Sequence, residues 1–228
     1  MTDLYVEIPE RGDPRLGRVI VHDPRSRNFP LAATIDRSTW RDKAVRIYDP
    51  LPNPNQPRGN CTGCAVAMDF NAIGNRKTGQ VLDMSVADTF YSLATSLDPF
   101  DGQWPPEDTG SSTLAAAKAA VQLGYGGEYR WLFSGADEVV QTIMDGRVVR
   151  VGTYWYWDMF KRDASGRVRI SGGVAGGHAW VARGYDIERD WVLGRCWWGD
   201  FKDFWLTRAD LDTLLRQRGE ALVQRRVA

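Results

Sequence analysis

Between residues 61 and 146 the apolar side chains recur at helical spacing, and from 148 onward the texture changes to short β-branched and aromatic runs bounded by Gly and Asp. This order restricts the chain to helices followed by strands, an α+β arrangement rather than a regular β-α alternation. The spacing predicts a helix from Cys61 to near Gly74, with Ala65, Met68 and Ala72 on one face. A second, over 85–97, carries a Val86, Phe90, Leu93 and Leu97 stripe with Ser85 as N-cap. "SSTLAAAKAAVQLG" (111–124) and "SGADEVVQTIMDG" (134–146) predict two more. "VVRVGTYWYW" (148–157), "HAWVARGYD" (178–186), "WVLGRCWW" (191–198) and "DFWLT" (203–207) predict strands, and 208–219 a closing helix. Alternation in the first of these strands puts Trp155 and Trp157 on one face. Residues 1–60 read as an extended arm and loops with short strands at 17–22 and 44–48, and four prolines in "DPLPNPNQP" (49–57) exclude helix interior there.

The totals narrow the partners. The 228 residues suffice for one large domain or two lobes. The 29 basic and 29 acidic residues cancel, so no nucleic-acid or anionic-membrane partner is expected. No apolar run approaches the roughly 20 residues of a membrane span. The charged start, "MTDLYVEIPERGDPRLGR", lacks the apolar stretch of a signal peptide, which suggests a cytosolic protein. The basic end, "QRRVA", reads as a solvated terminus.

Two of the three cysteines, Cys61 and Cys64, fall together in "QPRGNCTGCAVAMDF". They fit a metal half-site, a redox pair, or a nucleophile with a packing neighbour. No βαβ context precedes them, which disfavours a thioredoxin-like pair. Cys61 stands at a helix start, where exposed N–H groups and the helix dipole stabilise a thiolate. Cys64, a turn further on, reads as a small buried hydrophobe. Of the two histidines, His22 reads as an arm or surface residue. His178 sits between a glycine cluster and a strand, held on one side and reachable on the other. Together they would make a thiolate–imidazolium nucleophile.

"GNCTGCAVA" (59–67) resembles the nucleophile block of papain-like cysteine peptidases, especially bacterial and phage members. "GGHAWVARGYD" (176–186) resembles their histidine block, and "GRCWWGDFKDFWLT" (194–207) their Asn-Ser-Trp-Gly block with its following strand. "DTGSSTLAAAKAAVQLG" (108–124) is similar to a helix between the two halves, and "HDPRSR" (22–27) to an N-terminal block of phage and actinobacterial relatives. The resemblance implies a papain-like two-lobed fold: an arm at 1–57, a helical lobe at 58–135, a β-rich lobe at 136–228, and a cleft between the lobes. It implies Cys61 as nucleophile, His178 as base, Gln56 as oxyanion donor with Asn55 as fallback, and Trp198 as the shielding tryptophan. Cys196 stands where the family has the Asn that orients the imidazole, and a thiol is a poor acceptor for a ring N–H.

The activity implied is hydrolysis of peptide or related amide bonds in a peptide or protein substrate, with no metal and no cofactor. Three alternatives stay open: Cys64 as nucleophile; zinc held by Cys61, Cys64, Cys196 and His178; and a catalytically impaired binding or structural module. The last is motivated by Cys196 and by Gln56, which stands one residue closer to Cys61 than the family's glutamine does to its cysteine, and the resemblance to phage relatives implies a virion setting for it.

Overall fold

The computed structural model describes residues 3–40, 45–46, 54–78 and 81–227. The helices are α1 (Cys61–Thr78), α2 (Met84–Leu97), α3 (Thr113–Gln122), α4 (Gly135–Met144) and α5 (Arg208–Arg216). The strands are β1 (Tyr5–Glu7), β2 (Ile20–His22), β3 (Val45–Arg46), β4 (Gly126–Trp131), β5 (Val149–Tyr156), β6 (Val174–Asp186), β7 (Trp191–Arg195), β8 (Asp203–Thr207) and β9 (Glu220–Arg226). The expected strand at 44–48 is described only at β3; its other residues, like most of 49–57, lie outside the described residues.

One sheet runs β4-β9-β5-β6-β7-β8, with β3 also pairing β6; every pairing is antiparallel. Alternation along β6 divides the core. Ala179 and Val181 face the cluster built on α1, α2 and α3, whereas Trp180 and Ala182 face the cluster of the sheet with α4 and α5. The chain is thus α+β, with a helical side and a β-rich side meeting along β6. Helix α1 is buried all round through Ala72, as a helix enclosed by other elements must be. Its one buried charge, Asp69, faces Arg150 of β5 at 3.1 Å.

Several boundaries move for identifiable reasons. α1 continues through Gly74 to Thr78, since a lone glycine weakens a helix without ending it. α2 is capped by Asp83, not Ser85: its carboxylate accepts from the N–H groups of both Ser85 and Val86, so the cap lies two residues earlier and the helix starts at Met84. β5 stops at Tyr156 and a 3-10 turn follows, so Trp155 is fully buried while Trp157 is 48% exposed, not on one shared face. Residues 126–131 form β4, and the end that reads as solvated belongs to β9, which pairs with both β4 and β5.

Strands β1 and β2 pair antiparallel, so residues 8–19 form the loop of a hairpin. That loop enters the groove between the helical side and the sheet. Gly12 N–H donates to Ala175 O at 2.7 Å and Arg18 N–H to Gly177 O at 3.1 Å. On the opposite wall, Ser111 N–H donates to Gly17 O at 2.8 Å and Val19 N–H to Ser111 O at 3.1 Å. Arg18 anchors the loop from beneath, bonding the Arg218 carbonyl at 2.9 Å and the Glu220 carboxylate at 3.2 Å, all but excluded from solvent. Glu7 receives the hydroxyls of Tyr5 and Tyr154 at the hairpin's open end.

Candidate active site

Cys61 begins α1 and is fully buried. Its sulfur receives the backbone N–H groups of Ala179, on β6, and of Gly17, in the inserted loop. His178 immediately precedes Ala179, so one strand brings the imidazole residue to the helix that carries the thiol. His178 lies inside β6, opposite Thr153, because the strand starts at Val174. Of the glycine cluster before it, Gly176 and Gly177 are part of that strand, and Gly172 and Gly173 precede it. The ring is not reachable from one side, as its sequence setting suggested, but fully buried. It packs against Trp198 (ring centroids 4.4 Å) and, edge-on, against Trp155 (5.0 Å). Neither ring nitrogen has a hydrogen-bond partner among the described residues.

Gln56 joins the same site through Trp198, whose indole N–H donates to Gln56 Oε1 at 3.1 Å. The Gln56 amide donates to the carbonyls of Arg58 (2.6 Å) and of Arg15 in the loop (2.8 Å). A loop carbonyl therefore sits where an amide donor could meet a substrate oxygen. Asn55, the fallback donor, is exposed and lies against Gly199 instead. Cys196 is buried among the β-side residues and its thiol donates to Phe201 O at 3.4 Å, so it does not partner His178. Cys64 packs in the helical core, its sulfur 3.9 Å from Met84 Sδ. Among the described residues no three His, Cys, Asp or Glu side chains cluster as metal ligands.

Electrostatics follow from the loop's presence. Burial pushes the Cys61 thiol up, outweighing the two N–H groups and the charges of Arg11 and Arg18. Burial, reinforced by the Arg15 guanidinium, pushes His178 down to about 3; Asp13 opposes it weakly. With the loop seated, the favoured pair is a neutral thiol and a neutral imidazole, not the ion pair that the helix start alone suggests. Cys64 and Cys196 are raised well above the usual thiol range by burial.

Sequence reasoning offered Trp155 and Trp157 as a cleft lining, and of the two Trp155 packs against His178; it did not find Arg15 or Gly17. Arg15 stacks its guanidinium 4.5 Å from the Trp198 ring and is held by Asp13. Gly17 touches Gly59 so closely that a Cβ there would lie 1.8 Å from Gly59 O. No local signal pairs residues this far apart in sequence; only the glycine at 17, in a charged arm, hints at a close approach.

The fold defines a class. The backbone is that of the papain-like cysteine proteases, as similarity to solved structures shows. The protein is similar to xylellain, a cysteine protease from Xylella fastidiosa (TM-score 0.73, 15% identity, 98% of this chain and 100% of that one). It is also similar to procathepsin B S9 from Trypanosoma congolense (0.61, 11%, 91% and 86%) and to bromelain from Ananas comosus in complex with the inhibitor E64 (0.57, 9%, 81% and 99%). No protein-family model and no curated protein sequence matches the chain. No described helix is long and apolar enough to cross a membrane.

Proposed function

We propose that this protein is a papain-like cysteine peptidase held latent by its own hairpin loop, residues 8–19. The observation that carries the reading is the convergence of four elements on one cleft. These are the Cys61 thiol at a helix start, the His178 strand beside it, the Gln56 amide, and a loop carbonyl already bound to that amide. Once the loop lifts, water re-enters, His178 regains a higher pKa, and the thiol–imidazole pair becomes competent. Cys61 attacks the carbonyl of a peptide bond. His178 takes the thiol proton and returns it to the leaving amine. The Cys61 N–H and the Gln56 amide, released from Arg15, stabilise the oxyanion. Trp198 and Trp155 keep the imidazole in place by packing. The substrate is a peptide or protein, and the setting, bacterial host cytosol or phage particle, rests on sequence resemblance alone.

The test is hydrolysis of a denatured protein substrate by the chain with its loop displaced, with Cys61→Ser and His178→Ala as controls. Cleavage abolished by both substitutions supports the reading. Absence of cleavage, with the loop demonstrably out, opposes it. One observation favours a second reading, an impaired binding or structural module, a virion component included: Cys196 bonds Phe201 and leaves His178 without a hydrogen-bonding orienter.

A further inference from the structure

We infer that the pocket now holding Arg11 is a substrate subsite for a guanidinium or ammonium side chain, with Asp108 as its specificity-determining residue. The inference rests on the peptidase reading and adds the substrate class. Among the loop arginines, Arg15 is held by Asp13 and Arg18 by Glu220. Arg11 instead reaches across the cleft to the helical side. Its Nη1 donates to Asp108 O at 2.8 Å and lies 3.6 Å from Asp108 Oδ2.

The carboxylate is built in place rather than left on a mobile side chain. Oδ2 accepts the Gly59 N–H at 2.9 Å, and Oδ1 accepts the Tyr91 hydroxyl, which in turn accepts the Gly110 N–H at 2.8 Å. Gly59 is two residues before Cys61, so the charge is rigidly tied to the nucleophile's own segment. The walls are glycine. A Cβ on Gly59 would lie 3.0 Å from Arg11 Nη1, and one on Gly110 would lie 2.4 Å from Arg11 Nη2. Any side chain at either position would fill the space the guanidinium uses. Arg11 Nη2 is buried without a partner. The loop's arginine is therefore an imperfect occupant that a better-aligned substrate arginine can replace. When the loop leaves, it takes the paired cation with it, and the Asp108 carboxylate faces the cleft beside Cys61. A partly desolvated charge-assisted contact of this kind discriminates by roughly tenfold or more against a neutral side chain.

The experiment compares peptidyl acyloxymethyl ketones on the full chain. The probes carry Arg or norleucine either next to the warhead or one residue further, and Cys61 modification is followed by mass spectrometry. Iodoacetamide, which has no side chain to recognise, is run in parallel with and without His178→Ala. The expected result is a preference for Arg over norleucine of about tenfold or more at one of the two positions. Asp108→Asn keeps an oxygen for the Gly59 N–H and should reduce that preference to within about twofold, each probe's rate being divided by the iodoacetamide rate of the same protein. Equal rates for the Arg and norleucine probes on the unmodified chain, or a preference that survives in Asp108→Asn, overturn the subsite while His178-dependent iodoacetamide labelling leaves the peptidase reading standing. A Cys61 inert to every reagent, with the loop displaced, overturns both.

Discussion

Replacing Gly17 with alanine should eject the loop from the cleft. The glycine is not in the left-handed region of backbone space, so alanine brings no backbone penalty there. Its cost is steric: the new Cβ would sit 1.8 Å from Gly59 O, 2.3 Å from Gly59 C and 2.4 Å from Gly59 Cα. Those atoms are backbone, two residues from Cys61 and fixed by Asp108, and cannot step aside as a flexible side chain would. Overpacking of this kind costs about 1–3 kcal/mol. The loop can relieve it only by giving up its bonds to Ser111, Gly177 and Gln56. A shift of about 1–3 kcal/mol raises the population of the open form by roughly 5- to 150-fold. Alkylation of a protected thiol follows that population. The assay is the iodoacetamide labelling rate of each cysteine at pH 7, read by mass spectrometry. Cys61 should accelerate within that range, while Cys64, packed in the helical core, should not. An unchanged Cys61 rate in a folded Gly17→Ala protein would refute the view that the loop guards the thiol. Equal acceleration of all three cysteines would point to general unfolding instead.

Other expectations follow from the same contacts. His178 binds protons less readily folded (about 3) than unfolded (about 6.5), so its contribution erodes stability as pH falls from about 6.5 toward 3; at pH 4.5 this is about 2–3 kcal/mol. Asp69, raised to about 6 by burial, acts oppositely, holding its proton in the folded state between about pH 4 and 6. Urea midpoints of the protein and of His178→Gln at pH 7 and 4.5 separate the two, the variant losing less on acidification. Arg150→Met should cost about 3–5 kcal/mol by leaving Asp69 buried without its cation, and adding Asp69→Leu should recover much of it in urea unfolding. In the loop-displaced protein, Cys196→Asn supplies an amide acceptor where the thiol bonds Phe201, and should raise the His178 pKa in an NMR titration. Gln56→Ala in that background should slow peptide hydrolysis by roughly 10²–10³.

The sequence made the helices and central strands legible because each buries a periodic apolar face. The alternation through Trp180 and Ala182 is a local signal, and so is the α2 pattern, although the face it buries is Ala87, Phe90, Tyr91 and Ala94, with Val86, Leu93 and Leu97 of the expected stripe half-buried beside it. Resemblance in three short blocks carried the papain-like fold and singled out Cys61, His178, Gln56 and Trp198 as candidates. What was hidden was non-local. β9 looked like a charged terminus because its partners, β4 and β5, lie far away in sequence. His178 looked accessible because the loop that covers it comes from residues 8–19, and nothing near Gly177 announces that Arg18 O lies 2.1 Å from where its Cβ would be. Helix-start reasoning about Cys61 assumed an open cleft; with the loop seated, burial raises the thiol and outweighs the N–H groups of Gly17 and Ala179, which favour the thiolate.

The most direct test of a Cys61–His178 pair is the pH profile of Cys61 alkylation in Gly17→Ala, measured from pH 4 to 10 with and without His178→Ala. A catalytic pair gives substantial labelling well below the ordinary thiol pKa of about 8.5, and loses it when the imidazole is removed. A single titration near or above 8.5, identical in both proteins, would contradict the pairing and leave a papain-like fold without its chemistry.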